Sequence, residues 1–234
     1  MTGKNGSGLW QGMVDFSPVA LVISSYAIIF GALAVSSGLS VAESCLMSLT
    51  VFAGASQFIA LPMIRDGSAT WTLILMALVV NMRHLLYGLN IGRIFKDESK
   101  GTLMALSFGI VDETYAFITV GPGRKKASVP YFLGTVLCAY LTWNLGTLAG
   151  AAVFGWLNTG QIKGMDFAML AVFAAMVGSS IKGKDDWLVL ICAGTLSMIV
   201  HSTVGGYWHL IVTGIAVPVA LSIMWKAGRE TVQQ

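Results

Sequence analysis

Asn81, Arg83 and His84 open the run NMRHLLYG in the middle of an otherwise almost wholly apolar stretch from Trp71 to Ile91. An arginine a dozen positions beyond Trp71 lies about 18 Å along a helix, close to the midplane of a bilayer. An ionisable group there costs between ~3 and more than ~10 kcal/mol unless paired or hydrated, so such groups usually mark a transport path. The next apolar segment, LMALSFGIVDETYAFITV, carries Asp112 and Glu113 near its own centre. Neighbouring side chains on a helix diverge by about 100°, so the two acids cannot both pair with Arg83. A protonated carboxyl is far cheaper to hold at the midplane than a carboxylate, which makes the spare acid a proton carrier in waiting. The bland reading of the same charges is a buried pair that fixes helix register, with the second acid hydrated in a vestibule.

A second constellation is LTVFAGASQFIALP, in which Gly54, Ala55, Ser56, Gln57 and Phe58 follow one another. A helix that opens here frees amides for a substrate carboxylate and leaves Gln57 to hold an amino group. The alternative is a small-residue packing face with Ser56 and Gln57 as interhelical hydrogen bonds. Asn81 and His84 share one helix face, and Arg83 and Tyr87 another. His84 on its own would be an ordinary hydrogen-bonding core residue; its neighbours give it interest. Trp143-Asn144 is a possible cavity lining, while Gly146 and Gly150, four apart, read as close helix packing.

The elements that must hold these groups are membrane helices. Apolar residues make up 56% of the chain and charged residues 11%, against about 25% in soluble domains. The net charge of +3 is too small to point to nucleic acid, and the basic residues sit in short loops. Cys45, Cys138 and Cys192 lie in apolar segments at unrelated spacings, so neither a disulfide framework nor a metal site is expected, and no cofactor motif is present. The expected layout is a polar segment at 1–15, a single permease domain over 16–226 and a polar tail at 227–234. The apolar run Phe16 to Ala42 exceeds a signal-peptide core and suits an uncleaved first span.

At about 20 residues per crossing, helices are expected near 17–37, 42–63, 70–91, 102–120, 130–154, 165–181, 187–203 and 207–225, with Gly205-Gly206 as the turn between the last two. The fold class is therefore an all-α polytopic membrane protein of seven or eight transmembrane helices, with broken or re-entrant segments. Eight spans place nine loop or terminal basic residues on one side and four, Arg93, Lys96, Lys100 and Lys163, on the other. The positive-inside rule then puts both termini in the cytoplasm. The 92–101 loop is the anomaly, with three cations on the minority side, and a seven-span layout with one short segment re-entrant is the alternative. LAVFAAMVGSS (170–180) echoes 49–62 and hints at a repeat offset by about 115 residues.

VFAGASQF (51–58), VVNMRHLLYG (79–88) and VDETYAF (111–117), in this order, resemble the AzlC family. These are the large subunits of two-component branched-chain amino acid exporters of the YgaZ and BrnF type. The likeness runs from about Phe16 to near the C-terminus, and an N-x-R-H within one span followed by D-E in the next is an unusual combination. It implies a bacterial plasma-membrane permease that exports valine, isoleucine, leucine or similar amino acids, driven by protons, with a small AzlD-like partner of about four spans. The aliphatic amino acid that the resemblance implies would lie between the opened helix and Asn81, its side chain against Phe58 and Leu85. The first span keeps Phe30-Gly31 but has Ser24-Ser25-Tyr26 where the family usually has a Pro-Gly arrangement. A channel or permease for another solute, and an intramembrane enzyme using Asp112, Glu113 and His84, are the other readings; no nucleophile motif supports the second.

Overall fold

The computed structural model describes residues 3–157, 165–181 and 183–232, and among them all regular structure is helical. Among the described residues four helical stretches are long and apolar enough to cross a membrane: Gly8–Ser36, Thr70–Ile94, Val129–Leu157 and Lys184–Val204. The chain packs as two compact units, residues 1–65 with 81–165, and residues 66–80 with 166–234.

The first unit is built on α1 (Gly3–Ser36) and α8 (Val129–Leu157). α1 begins at Gly3, so the polar segment expected at 1–15 is for the most part continuous with the first apolar helix. The two helices run parallel, Gly8 beside Pro130 and Gly150 beside Ile28. A Cβ at Gly12, Gly31, Gly134 or Gly150 would overlap the facing carbonyl of Tyr131, Thr147, Leu9 or Ile28, so the backbones touch. Such close approach is how membrane helices gain packing without a hydrophobic driving force. At the starting end Asp15 accepts hydrogen bonds from Lys126 (2.7 Å) and Tyr131 (2.9 Å).

The segments expected as spans at 42–63 and 102–120 are each two half-helices. α2 (Val41–Val51) starts from a capping box in which Ser40 and Glu43 satisfy each other's free amides. It ends at Phe52, whose φ of 41° is left-handed, a conformation that a bulky residue adopts only when its surroundings enforce it. α3 (Gly54–Arg65) then leaves the turn alongside α2, close enough for Gln57 Nε2 to donate to Ser48 Oγ at 3.2 Å. Along α8 this pair starts beside Gly155 at Val41 and reaches Tyr140 at its tip.

α4 (Thr70–Asn81) and α5 (Arg83–Ile94) meet at Met82, and Phe95 after α5 lies 5.9 Å from Phe132 near the start of α8. α6 (Lys100–Ser107) then goes inward until Phe108 meets Tyr140, ring centroids 5.7 Å apart. α7 (Asp112–Thr119) returns, because Phe117 stacks on Tyr131 and touches Phe16 near the same end. α5 and α7 consequently run parallel, Arg83 beside Asp112 and Asn90 beside Tyr115. A short 3-10 turn at 122–126 leads into α8.

In the second unit α10 (Lys184–Val204) and α11 (Trp208–Val232) join at Gly205 and Gly206, both at positive φ (75° and 57°), the turn expected from sequence. Tyr207 donates to Asp66 at 2.7 Å, Trp208 rests on Trp71 at 5.6 Å, and Gly214 packs on Val79. α4 and α11 therefore start at one end and run parallel. Eight full crossings would put the 64–69 loop and the 204–206 turn on opposite faces, so this arrangement does not fit eight. α9 (Met165–Ser180) is uninterrupted where the echoing segment 49–62 breaks, so the hinted repeat does not extend to a second broken helix.

Candidate functional site

The charged residues of the two central motifs come together in the first unit. Arg83 Nη1 lies 2.9 Å from Asp112 Oδ2, each side chain about one-third exposed (33%). Tyr87, one turn along α5, donates from Oη to Asp112 Oδ1 at 2.9 Å. Its ring stacks on Tyr115 at 4.1 Å, and Tyr115 Oη accepts from Asn90 at 2.7 Å. Asp112 thus has a partner for each oxygen, one of them charged. Both acids sit in the first turn of α7, where the helix dipole favours negative charge. Glu113, about 100° around the helix, forms no hydrogen bond or ion pair with another described side chain. His84 is half-buried with its ring edge-on to Tyr87 at 5.7 Å.

The break ahead of α3 is built by side chains. Ala53 N–H would bond the Leu49 carbonyl in a continuous helix; here it donates to Gln57 Oε1 at 3.3 Å. The freed Leu49 carbonyl accepts from Tyr140 Oη at 2.8 Å. Ser56 Oγ donates to the Ala53 carbonyl at 2.9 Å and accepts from Asn81 Nδ2 at 3.3 Å, which ties Asn81 to the first turn of α3. Both ends of the Gln57 amide are engaged within the hairpin and the residue is fully buried, so it offers nothing to a ligand amino group in this conformation. Phe58 differs from expectation in the same way: it is 1% exposed, edge-on to Phe30 and Trp143, and no wall for a substrate side chain. Leu85 is 68% exposed.

Gly54 and Ala55 open α3 and, with Ser56, carry first-turn amides that have no acceptor within the helix. The Trp143 indole lies against Gly54, its Cη2 2.9 Å from where a Cβ would stand. Gly54→Leu is therefore expected to force the indole and the α3 turn apart and to stop transport while the protein still reaches the membrane. Flux and membrane content measured side by side check this, and normal flux in Gly54→Leu would remove the turn from the site.

Sequence reading missed Tyr115 and Asn90, and saw Tyr87 only as a neighbour of Arg83. Arg83, Tyr87 and Asn90 stand at i, i+4 and i+7, a polar stripe on an apolar helix, and that spacing was the available signal. Gly146 and Gly150 do pack α8 closely, against Ala27 and Ile28.

Half-helices inside an apolar fold, with an ion pair and open amides at their breaks, define a polytopic membrane transport protein. The chain belongs to the AzlC protein family, which it matches over residues 18–157. It is 28% identical to the inner membrane protein YgaZ of Escherichia coli over 189 residues, 76% of either chain. It is 27% identical to the branched-chain amino acid transport protein AzlC of Bacillus subtilis over 201 residues, 85% of this chain and 78% of that one. An uncharacterised membrane protein of Helicobacter pylori shares 27% over 202 residues, 84% and 86% of the two chains. No solved structure matches.

Proposed function

We propose that the protein exports branched-chain amino acids, valine, isoleucine, leucine or similar, across a bacterial inner membrane, coupled to protons and together with a small AzlD-like subunit. The relative from Bacillus subtilis, named for branched-chain amino acid transport, supports the cargo. The observation that carries the reading is a set of buried polar atoms with no hydrogen-bond partner in the first unit: Asn81 Oδ1, Arg83 Nε, Trp143 Nε1 and Asn144 Oδ1. An unpaired buried polar group costs about 1–3 kcal/mol, which a ligand can recover. Of these, Trp143 Nε1 is a donor and Asn81 Oδ1 an acceptor, able to meet a carboxylate and an ammonium respectively.

Trp143, only 7% exposed, and Asn81 both stand at the first turn of α3. The substrate carboxylate would take the amides of Gly54, Ala55 and Ser56 with the indole N–H, and its ammonium would face Asn81 Oδ1. Proton coupling falls to Glu113, the acid that Arg83 does not hold. The test is reconstitution in liposomes, with and without the small subunit, following labelled valine, isoleucine and leucine under an imposed pH gradient. Saturable, gradient-driven flux is the expected result, and flux blind to the side chain or to the gradient would refute it. Trp143→Phe, which keeps the ring and loses the N–H, should raise KM about tenfold, the worth of one hydrogen bond to a charged group.

A further inference from the structure

We propose that α2–α3 and α6–α7 are re-entrant hairpins entering from opposite membrane faces, and that Phe52, Phe108 and Tyr140 close the transport path where their tips meet. α8 serves as a ruler. α6–α7 has both ends near the start of α8, at Phe132 and Tyr131, and its tip at Val136 and Tyr140. α2–α3 comes from the other end, Val41 beside Gly155 and Ser48 Oγ 2.9 Å from Thr147 Oγ1, and its tip also reaches Tyr140. α1 and α8 start on one face, and the stretch Thr70–Ile94, which follows α2–α3 and precedes α6–α7 in the chain, is long and apolar enough to cross. With α6–α7 returning to its own face, the crossing count between these two starts is even only if α2–α3 returns as well.

Charge agrees independently. The 92–101 and 121–128 loops now share a face, and among the described residues of this unit their six cations, Arg93, Lys96, Lys100, Arg124, Lys125 and Lys126, stand against Arg65 at the opposite end. The anomaly of the eight-span layout disappears, and the positive-inside rule makes the α6–α7 face cytoplasmic. Non-helical backbone at membrane depth persists only where its polar groups are met. Tyr140 and Gln57 meet them at one tip. Thr114 does so at the other, accepting from Val111 N–H at 3.0 Å and donating to the Gly109 carbonyl at 2.6 Å.

At the meeting point Phe52 lies 6.1 Å from Phe108 with rings 26° apart, and 5.0 Å from Tyr140. Phe52 is buried, whereas Phe108 stays 55% exposed, so it has a free side toward which to swing. Aromatic rings that meet across a path form an apolar constriction, which blocks small hydrated solutes. The gate assignment rests on the transport reading above; the hairpins do not.

The test uses the full chain with Cys45, Cys138 and Cys192 replaced by serine, in sealed vesicles of known orientation. Single variants E98C and S128C should react with a membrane-impermeant maleimide from the same face, and L39C from the opposite one. The pair F52C and F108C should cross-link on oxidation. Labelling of E98C and S128C from opposite faces, or no cross-link, overturns the hairpins whatever the protein carries. Phe108→Ala should raise passive leak of labelled valine at least about tenfold over the parent, since it removes the constriction. Phe108→Leu, milder in packing, should raise it less. Expected labelling with unchanged leak in both variants overturns the gate, and expected labelling with no amino acid flux in the parent overturns the transport reading and leaves the hairpins standing.

Discussion

Arg83→Leu is expected to abolish transport and to destabilise the protein more than Arg83→Leu and Asp112→Leu together. The 2.9 Å pair joins the α4–α5 break to the first turn of α7. Removing the arginine leaves a carboxylate with only Tyr87 for company in a medium of low dielectric. Breaking a fully buried pair costs about 3–5 kcal/mol. Both side chains here keep a third of their surface, so about 2 kcal/mol is the scale to expect after solvent screening. The double variant leaves no stranded charge and should recover most of that stability without recovering flux. Thermal unfolding of both variants in detergent measures the difference. Equal midpoints would mean that Asp112 is hydrated well enough to need no partner.

The second large effect is a separation of coupling from exchange. Glu113→Gln should eliminate export against a gradient while leaving exchange of internal for external amino acid within about twofold, because exchange needs no change in the access equilibrium set by protonation. The acid stands next to the ion pair but outside it, so its charge can change without breaking the contact between α5 and α7. Asp112→Asn should damage both activities, since it removes the partner of Arg83. If both variants retain proton-driven export at normal rates, these carboxylates are structural and the proton enters elsewhere.

The helical, polytopic character of the chain was legible in the sequence, because burial in lipid dictates long apolar runs and singles out each ionisable residue within them. The pairing of Arg83 with an acid of the next segment followed from depth alone. Which acid pairs did not, since the choice depends on the azimuth of α7 and hence on where the chain resumes its helix after Gly109. The breaks were the harder part. Phe52 carries neither the glycine nor the proline that announces a turn, and its left-handed backbone is held by Gln57 nearby and by Tyr140 and Phe108 from distant parts of the chain. The segments 42–63 and 102–120 have the length and hydropathy of ordinary spans, so composition cannot tell a crossing from a hairpin. The small residues at 54–57 did signal an opening within 42–63, and the break falls directly before them. For 102–120 the signal was indirect, the three cations of the 92–101 loop on the wrong side. Gln57 and Phe58 read as ligands for a related reason: a polar residue and an aromatic beside an opened helix look the same whether they face a cavity or hold the turn shut.

The contact between α1 and α8 reaches beyond the unit it supports. Carbonyl oxygens face glycine α-carbons at four places along it, leaving no side-chain layer in which one helix can slide past the other. The apolar stretches of the two helices, 29 residues each, measure about 43 Å, against a hydrocarbon thickness of about 30 Å. Such a mismatch is relieved by tilt, and helices welded this closely must tilt as one body. Both hairpin tips hang on α8 at Tyr140, so their depth follows the angle of that body. A thicker or thinner bilayer would therefore shift the depth of the two tips together and leave their meeting point at Tyr140 unchanged.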